Sequence, residues 1–461
     1  MKSIKICCIG AGYVGGPTMA VIAEMCPEIN VTVVDINKSK IDSWNGDINQ
    51  LPVYEPGLKE IIKKVRNKNL FFSVDIENSI KQSEIIFIAV NTPTKTEGEG
   101  AGMAADLTFV IKTAEQIAKY SISDKIVVEK STLPVRTAEE IKKILNKLNN
   151  KVKFEVLSNP EFLAEGTAIQ DLYKSDRVLI GGDNTKSGKI AIDKLVSIYQ
   201  KWIPKEKIIT SNVWSAELSK LSSNAMLAQR ISSINSLSAL CEKTGAKIQE
   251  VSSSIGKDHR IGEHFLKFSV GFGGSCFKKD ILNLVYLCKK YGLNEVAEYW
   301  HQVVKINDYQ KLRFSNLIIN YLKNVKNKKA SILGWAFKKN TNDSRESAAI
   351  DVAFNLLLAG IRTSVYDPMV NSDKIRKDLK NLFTSKGIID INSYLSKLTI
   401  HESIDNCISN SSAIAIITEW DEFKNYPWDE IQKISNSEYK IFDGRGIVDT
   451  KIENRLYKIG N

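Results

Sequence analysis

Gly10-Ala11-Gly12-Tyr13-Val14-Gly15 spells G-x-G-x-x-G directly behind an apolar run, and Asp35 ends the next such run, twenty residues beyond Gly15. Those residue types at that spacing suit a dinucleotide. Gly10 would make the tight turn, Gly12 would let the backbone approach a pyrophosphate, and Gly15 would let helix and strand pack closely. The helix N-terminus would then face the phosphates, and Asp35 would accept bonds from the adenosine ribose hydroxyls. A carboxylate there repels a 2′-phosphate, which favours NAD over NADP even with Lys38 and Lys40 nearby. The competing expectation is a Rossmann-like fold that binds nothing.

Gly271-Phe272-Gly273-Gly274-Ser275-Cys276-Phe277-Lys278-Lys279-Asp280 points to a reactive thiol. Glycines before a helix expose backbone N–H groups. A Cys at such a helix start, with two lysines behind it, is expected to ionise readily. Asp280 follows one turn later on the same face. A free Cys is most often a buried small hydrophobe. That fits Cys7 and Cys8 in the first apolar run and Cys241 in a long helical stretch, but Gly-Gly-Ser makes no core element before Cys276. A nucleotide fold with a nucleophilic Cys suggests carbonyl oxidation through a thioester. Lys220 and Asn224 stand i, i+4 on a predicted helix, and Glu161 and Glu165 repeat that spacing after a strand and Pro160. One Glu could be the base for a deacylating water, and Lys220 could stabilise an oxyanion. Each of these alone reads better as a solvated helix charge.

The elements that must hold these groups follow from the patterning. The 461 residues imply two to four domains at roughly 100–200 residues each. With 43% hydrophobic and 25% charged residues, disorder is excluded. Candidate strands at Ile4–Ile9, Val31–Ile36, Ile85–Val90, Ile126–Glu129, Phe154–Leu157, Val178–Ile180 and Lys207–Ile209 alternate with helical stretches. That alternation predicts a parallel sheet covered by helices. A helical stretch from about Ser215 to Thr244 has no Gly or Pro and would run about 45 Å. It is expected to join domains or form a dimer interface. The α/β pattern restarts at ASILGW, RTSVYDP, AIAIITEW and KIFDGRG, with a helix over Ala348–Ala359. The fold class is therefore α/β: two Rossmann-like, doubly wound domains joined by a long central helix and a helical middle domain. The expected divisions are 1–212, 213–327 and 328–461.

The charge balance is +11, from 64 Lys+Arg against 53 Asp+Glu, which raises nucleic acid, membranes or anionic small molecules as partners. Dispersed lysines without a recognition motif argue against nucleic acid. No run of 18 apolar residues occurs, which argues against a membrane span, and the start of the chain reads as a buried strand rather than a signal peptide. Seven cysteines without C-x-x-C suit a reducing, cytoplasmic compartment, and His259 and His264, five apart, match no metal spacing. No metal is expected.

The G-A-G-Y-V-G start, VNTPTKTEGEGAGMAADL, EKSTLPVRTAE, LSNPEFLAEGTAIQDL, AELSKLSSNAMLAQRISSINS, VGFGGSCFKKD, LGWAFKKNTNDSRES, YDP, TEWDEF and FDGRG occur in this order over nearly the whole chain. Together they resemble the UDP-glucose/GDP-mannose dehydrogenase family. The long VNTPTKT segment is similar to its UDP-glucose-oxidising, animal-type branch. The resemblance implies oxidation of UDP-glucose to UDP-glucuronate with two NAD⁺. Cys276 would carry the thiohemiacetal and thioester. Lys220 and Asp280 would assist deprotonation of the alcohol, Glu161 would be the base for hydrolysis, and Thr132 and Asn224 would position water and substrate. The cofactor would lie against Gly10, Gly12, Tyr13, Val14, Gly15, Asp35, Lys40, Val90, Thr92, Ser131, Thr132, Glu165, Cys276, Lys279 and Arg345. The sugar nucleotide would lie against Glu161, Phe162, Leu163, Ala164, Glu165, Lys220, Asn224, Phe265, Lys267, Phe272, Gly273, Phe277, Phe337, Lys338 and Arg445, with Arg260 reaching a neighbouring subunit. The family also implies a homo-oligomer, dimer or hexamer.

Three positions depart from the family pattern: Lys40 stands where Arg is frequent, Lys278 where a neutral residue is common, and Trp335 where Phe is frequent. A diphosphate needs cationic partners, and Lys267, Lys338 and Arg445 come from three segments expected to meet where α/β folds hold ligands. The alternatives are a dehydrogenase for another nucleotide sugar, GDP-mannose or a UDP-N-acetylhexosamine, and a catalytically silent sensor of NAD and UDP-sugar.

Overall fold

The computed structural model describes residues 4–449 and 453–461. The chain forms two compact units, one ending at Ser223 and the other beginning at Asn224. In the first, strands and helices alternate: β1 (Lys5–Ile9), α1 (Gly15–Met25), β2 (Asn30–Val34), α2 (Lys38–Asn45), α3 (Leu58–Val65), β3 (Leu70–Ser73), α4 (Ile76–Gln82), β4 (Ile85–Ile88), α5 (Thr108–Tyr120), β5 (Lys125–Glu129), α6 (Thr137–Leu148), β6 (Phe154–Ser158), α7 (Ala168–Tyr173), β7 (Val178–Gly182), α8 (Lys186–Tyr199) and β8 (Ile208–Asn212). The 32-residue α9 (Val213–Thr244) begins here and continues into the second unit.

The eight strands run in the order β3-β2-β1-β4-β5-β6-β7-β8. The first six are the doubly wound arrangement. Central strands such as β4 (IIFI), and β1 (KICCI) beyond Lys5, are apolar because helices cover both faces. Amphipathic α5 shows the complementary pattern, burying Val110, Thr113, Ala114, Ile117 and Ala118.

One expectation is corrected. The sheet is mixed, because β7 pairs antiparallel with β6 at Ser158 and Gly181. The connection is spent on an irregular loop and the six-residue α7. The edge strand β3 also escaped the sequence reading, its run LFFS being short and half exposed.

The second unit contains α10 (Ile248–Gly256), α11 (Phe277–Lys290), α12 (Asn294–Lys323), β9 (Lys329–Leu333), α13 (Ala348–Leu358), β10 (Arg362–Tyr366), α14 (Ser372–Ser385), α15 (Ile391–Leu395), β11 (Leu398–Ile400), α16 (Ile404–Ile408), β12 (Ala413–Ile416), α17 (Asp421–Lys424), β13 (Lys440–Asp443) and β14 (Leu456–Lys458). Its parallel sheet has the order β11-β10-β9-β12-β13-β14. Counted from β9, this is again 3-2-1-4-5-6, so the second nucleotide-fold-like pattern is real.

The two first-strand turns correspond. Gly10 N–H donates to the Val34 carbonyl at 2.8 Å, and Gly334 N–H donates to the Tyr366 carbonyl at 2.8 Å. Among the described residues, no helix is long and apolar enough to cross a membrane.

Candidate active site

The glycine turn has the geometry that its residues require. Gly10 has φ +113°, and a Cβ there would collide with the Ala89 carbonyl; a Cβ on Gly15 would strike the Gly10 carbonyl. At Gly12 a Cβ would meet nothing within 4 Å, leaving open space beside the turn. No side chain caps α1, whose N-terminus opens at the glycine turn; Gly16 N–H donates to the Gly12 carbonyl at 3.0 Å and Pro17 has no N–H. Asp35 closes this crevice at the end of β2. Its carboxylate accepts from Ala11 N–H at 3.0 Å, Asn37 N–H at 2.9 Å and Lys40 Nζ at 2.8 Å. Burial pushes this carboxyl up, but Lys40 and the two N–H groups outweigh it and hold it below its ordinary value. Lys40 thus serves as the partner of the acid. Lys38 pairs with Asp42 at 2.7 Å on the surface. The ends of β4 and β5 form the opposite wall, where Ser131 Oγ donates to the Val90 carbonyl at 2.7 Å and Thr92 Oγ1 to the Thr132 carbonyl at 3.2 Å. The open space at Gly12, the uncapped helix and the single carboxylate fit NAD.

A second cluster in the same unit gathers Glu161, Thr132 and Lys220. Thr132 Oγ1 donates to Glu161 Oε1 at 3.1 Å, Lys220 Nζ lies 3.6 Å from the same oxygen, and Lys220 stands 5.4 Å from the Phe162 ring centre. Lys220 is only 4% exposed and Glu161 9%, so neither is the solvated helix charge that each alone would suggest. Glu161 and Glu165 are not helical neighbours either, because residues 159–164 are irregular. Glu55 fixes that segment by accepting from Gly166 N–H at 2.9 Å and Ala168 N–H at 3.2 Å. Asp171 accepts from Ala164 N–H at 2.9 Å, and Leu163 packs on the core.

The second unit presents the thiol. Cys276 is the N-cap of α11 and the one exposed cysteine of the seven. The other six are buried, and burial pushes the Cys7 thiol up to about 12 and Cys26 to about 11. One turn on, buried Asp280 donates its N–H to the Cys276 carbonyl at 2.9 Å, and its carboxylate accepts from Asn224 Nδ2 at 2.6 Å. The two lysines behind the thiol are not free cations: Lys278 pairs with Glu346 at 2.9 Å and Lys279 lies 3.8 Å from Asp280. The extra positive charge expected from Lys278 is therefore offset by Glu346, which is 68 residues away in sequence.

The loop before Cys276 is tightly held. Gly274 N–H donates to the Arg345 carbonyl at 2.8 Å, a Cβ on Gly273 would meet the Glu346 backbone, and Phe277 packs edge-on against Phe272 and Phe265. Arg445 donates to the carbonyls of Phe337 (2.8 Å) and Ile417 (2.6 Å), fixing the backbone before half-buried Lys338. Lys267 is exposed. Arg345 forks onto Asp343 at 2.6–2.9 Å, and Arg260 forks onto its own Asp258 at 2.6–3.2 Å.

Two supporting residues had no signal in the sequence. Lys130 is buried, with Nζ 3.1 Å from Asn159 Oδ1 and 3.4 Å from the Tyr199 hydroxyl, and burial brings it down to about 8. Asn307 on α12 clamps the thiol loop with both ends of its amide, accepting from Phe272 N–H at 2.8 Å and donating to its carbonyl at 3.0 Å. Asn307→Ala leaves both buried backbone groups unpaired. It is expected to cost about 2 kcal/mol in urea unfolding, with a rise in KM. An unchanged midpoint and KM would sink this role for the clamp.

Among the described residues, no group of three His, Cys, Asp or Glu side chains could hold a metal ion.

The UDP-glucose/GDP-mannose dehydrogenase family is matched by three models: its NAD binding domain over residues 4–203, its central domain over 214–309 and its UDP binding domain over 331–450. UDP-glucose 6-dehydrogenase 1 of Glycine max is 56% identical and UDP-glucose 6-dehydrogenase 3 of Arabidopsis thaliana 54% identical, each match covering 99% of this chain and 95% of the relative. Both are plant proteins, so the animal-type assignment drawn from VNTPTKT is set aside. The solved UDP-glucose dehydrogenase of Pyrobaculum islandicum superposes with TM-score 0.83 at 28% identity, covering 99% of this chain and 96% of that one. A UDP-D-ManNAc dehydrogenase of Pyrococcus horikoshii, at 24% identity and TM-score 0.81 with 99% of each chain covered, shares the fold.

Proposed function

Because the chain belongs to the UDP-glucose/GDP-mannose dehydrogenase family, we propose that it oxidises UDP-glucose to UDP-glucuronate with two NAD⁺, as a UDP-glucose 6-dehydrogenase. The observation that carries this reading is the single exposed thiol. Cys276 stands at a helix start behind a clamped glycine loop, one turn before a buried acid held by Asn224. Plant relatives bearing that enzyme name match over nearly the full chain.

The roles follow from the chemistry of each group. Bound NAD supplies the hydride acceptor for both oxidations, seated at Gly10–Gly15 and Asp35. Lys220 and Asp280 assist removal of the C6 hydroxyl proton and stabilise the oxyanion. Cys276 adds as thiolate to the C6 aldehyde, giving a thiohemiacetal and, after the second oxidation, a thioester. Glu161 takes a proton from the attacking water, held by Thr132, and the thiol leaves. Lys338, Lys267 and the Arg445-anchored backbone face the diphosphate. The chain is read as three parts, 1–212, 213–327 and 328–461.

A homo-oligomer is the reading for assembly. The central helices leave Met226, Leu240, Tyr299 and Tyr309 exposed, all 50% or more. Reduced cysteines suit the cytoplasm, with no membrane or nucleic-acid partner.

Counting NADH against UDP-glucuronate tests the activity. A ratio of two is expected. A ratio of one, or preferential turnover of GDP-mannose or a UDP-N-acetylhexosamine, would overturn the assignment.

A further inference from the structure

The mechanism leaves two buried acids unused. Glu129 ends β5 and is 1% exposed; Glu217, on the first turns of α9, is 2% exposed. Glu217 sits across the start of α6, one oxygen accepting from Arg136 N–H at 2.8 Å and the other from Ala138 N–H at 2.8 Å. It thereby caps a helix whose own first residues offer no side-chain cap. Among the described residues neither Glu129 oxygen finds a hydrogen-bond donor, and burial together with the nearby Glu217 carboxylate raises the Glu129 carboxyl well above its ordinary range. Two carboxylates cannot bond each other without a proton, and burying both as anions is prohibitive.

No neighbouring cation resolves the conflict. Lys130, next to Glu129, points to Asn159 and Tyr199. Arg136 pairs through its guanidinium with Glu139 and lies over Trp214. Lys220, one turn after Glu217, points to Glu161. The strands flanking Glu129 place Ile88 and Ser158 beside it, and Glu155 on β6 pairs with Lys142.

We infer that Glu129 and Glu217 share one proton, and that this acid–carboxylate pair is the positioning element that registers the Lys130–Arg136 loop and the start of α6 against the turn of α9 carrying Lys220. The loop includes Thr132, so one hydrogen bond sets the spacing of both partners of Glu161. This role rests on the reading of Lys220 and Thr132 given above. Burial raises both acids: Glu129 lies well above its ordinary value, and Glu217 is pushed up to about 7 although two N–H groups oppose this. The folded pair binds a proton that the unfolded chain has released. The associated stability is therefore greatest below the ordinary carboxylate range and declines as pH rises through about 7.

Full-length Glu129→Gln and Glu129→Ala decide the matter. Gln keeps an N–H donor toward Glu217 but has nothing to ionise. Glu129→Gln is expected to hold near-parent kcat at neutral pH and to lose the alkaline fall that the parent shows. Glu129→Ala is expected to lose about tenfold in kcat with KM little changed. An alkaline limb identical in parent and Glu129→Gln, or Gln as damaging as Ala, would overturn the inference. Thermal melting from acid to alkaline pH reads the pair without turnover. The parent Tm is expected to decline with pH more steeply than that of Glu129→Gln, and parallel curves would overturn the shared proton. If UDP-glucose is not turned over, the activity reading fails while the melting comparison still decides the pair.

Discussion

Cys276→Ser is expected to abolish UDP-glucuronate formation, lowering its rate on the order of 10⁴-fold while one round of hydride transfer survives. Serine matches the cap position at the start of α11 and changes little in packing. Its hydroxyl is too weakly acidic to add as an anion and too poor a leaving group to be released by water. The first oxidation does not use the thiol and remains possible. No other thiol can substitute, since the remaining six cysteines are all buried. Single-turnover mixing with NAD⁺ and UDP-glucose checks this: NADH should form without acid. Acid production at the parent rate would rule out a covalent path.

Lys220→Ala is expected to lower kcat by about 10²–10³-fold with only a small change in KM. Among the described residues, its ammonium is the one cation within salt-bridge distance of Glu161, 3.6 Å from it, and is buried almost completely. Its charge acts where negative charge develops on oxygen, so its loss falls on the transition state more than on binding. Lys220→Arg is not expected to rescue, because a planar fork does not fit the space of a point charge beside Phe162. Steady-state kinetics separate the outcomes. An effect confined to KM would place Lys220 in substrate binding alone.

The legibility of these groups in the sequence followed distance along the chain. The Gly10–Gly15 turn and Asp35 were readable because strand, turn, helix and acid lie within about thirty residues and each type answers one local steric or electrostatic demand. Cys276 was readable because three glycines and a serine make no core element. Relations made by folding were not. Glu129 and Glu217, 88 positions apart, carried no shared pattern. Asn307 looked like any polar helix residue, yet it clamps a loop 35 positions upstream. Glu346, partner of Lys278, offered no hint either. Lys220 and Glu161 read singly as solvent charges because burial is a property of their surroundings. The reversed β7 escaped for a similar reason: its direction is set by the path of the connection, not by the residues of the strand.

The carboxylate that ends the second strand occurs in both sheets, and its occupation differs. Asp35 accepts from three donors, one of them the partly exposed Lys40 side chain. Asp367 accepts from five: the N–H groups of Trp335, Ala336, Met369 and Val370, and the Trp420 indole. A carboxylate offers about four lone-pair sites. Asp35 can exchange its lysine for a guest, whereas Asp367 is consumed by its own architecture. On the proposed function, one position of a repeated template is kept for a ligand and the other is a rivet of the fold. Mutational drift at the first would be read by selection as lost affinity, and at the second as failure to fold.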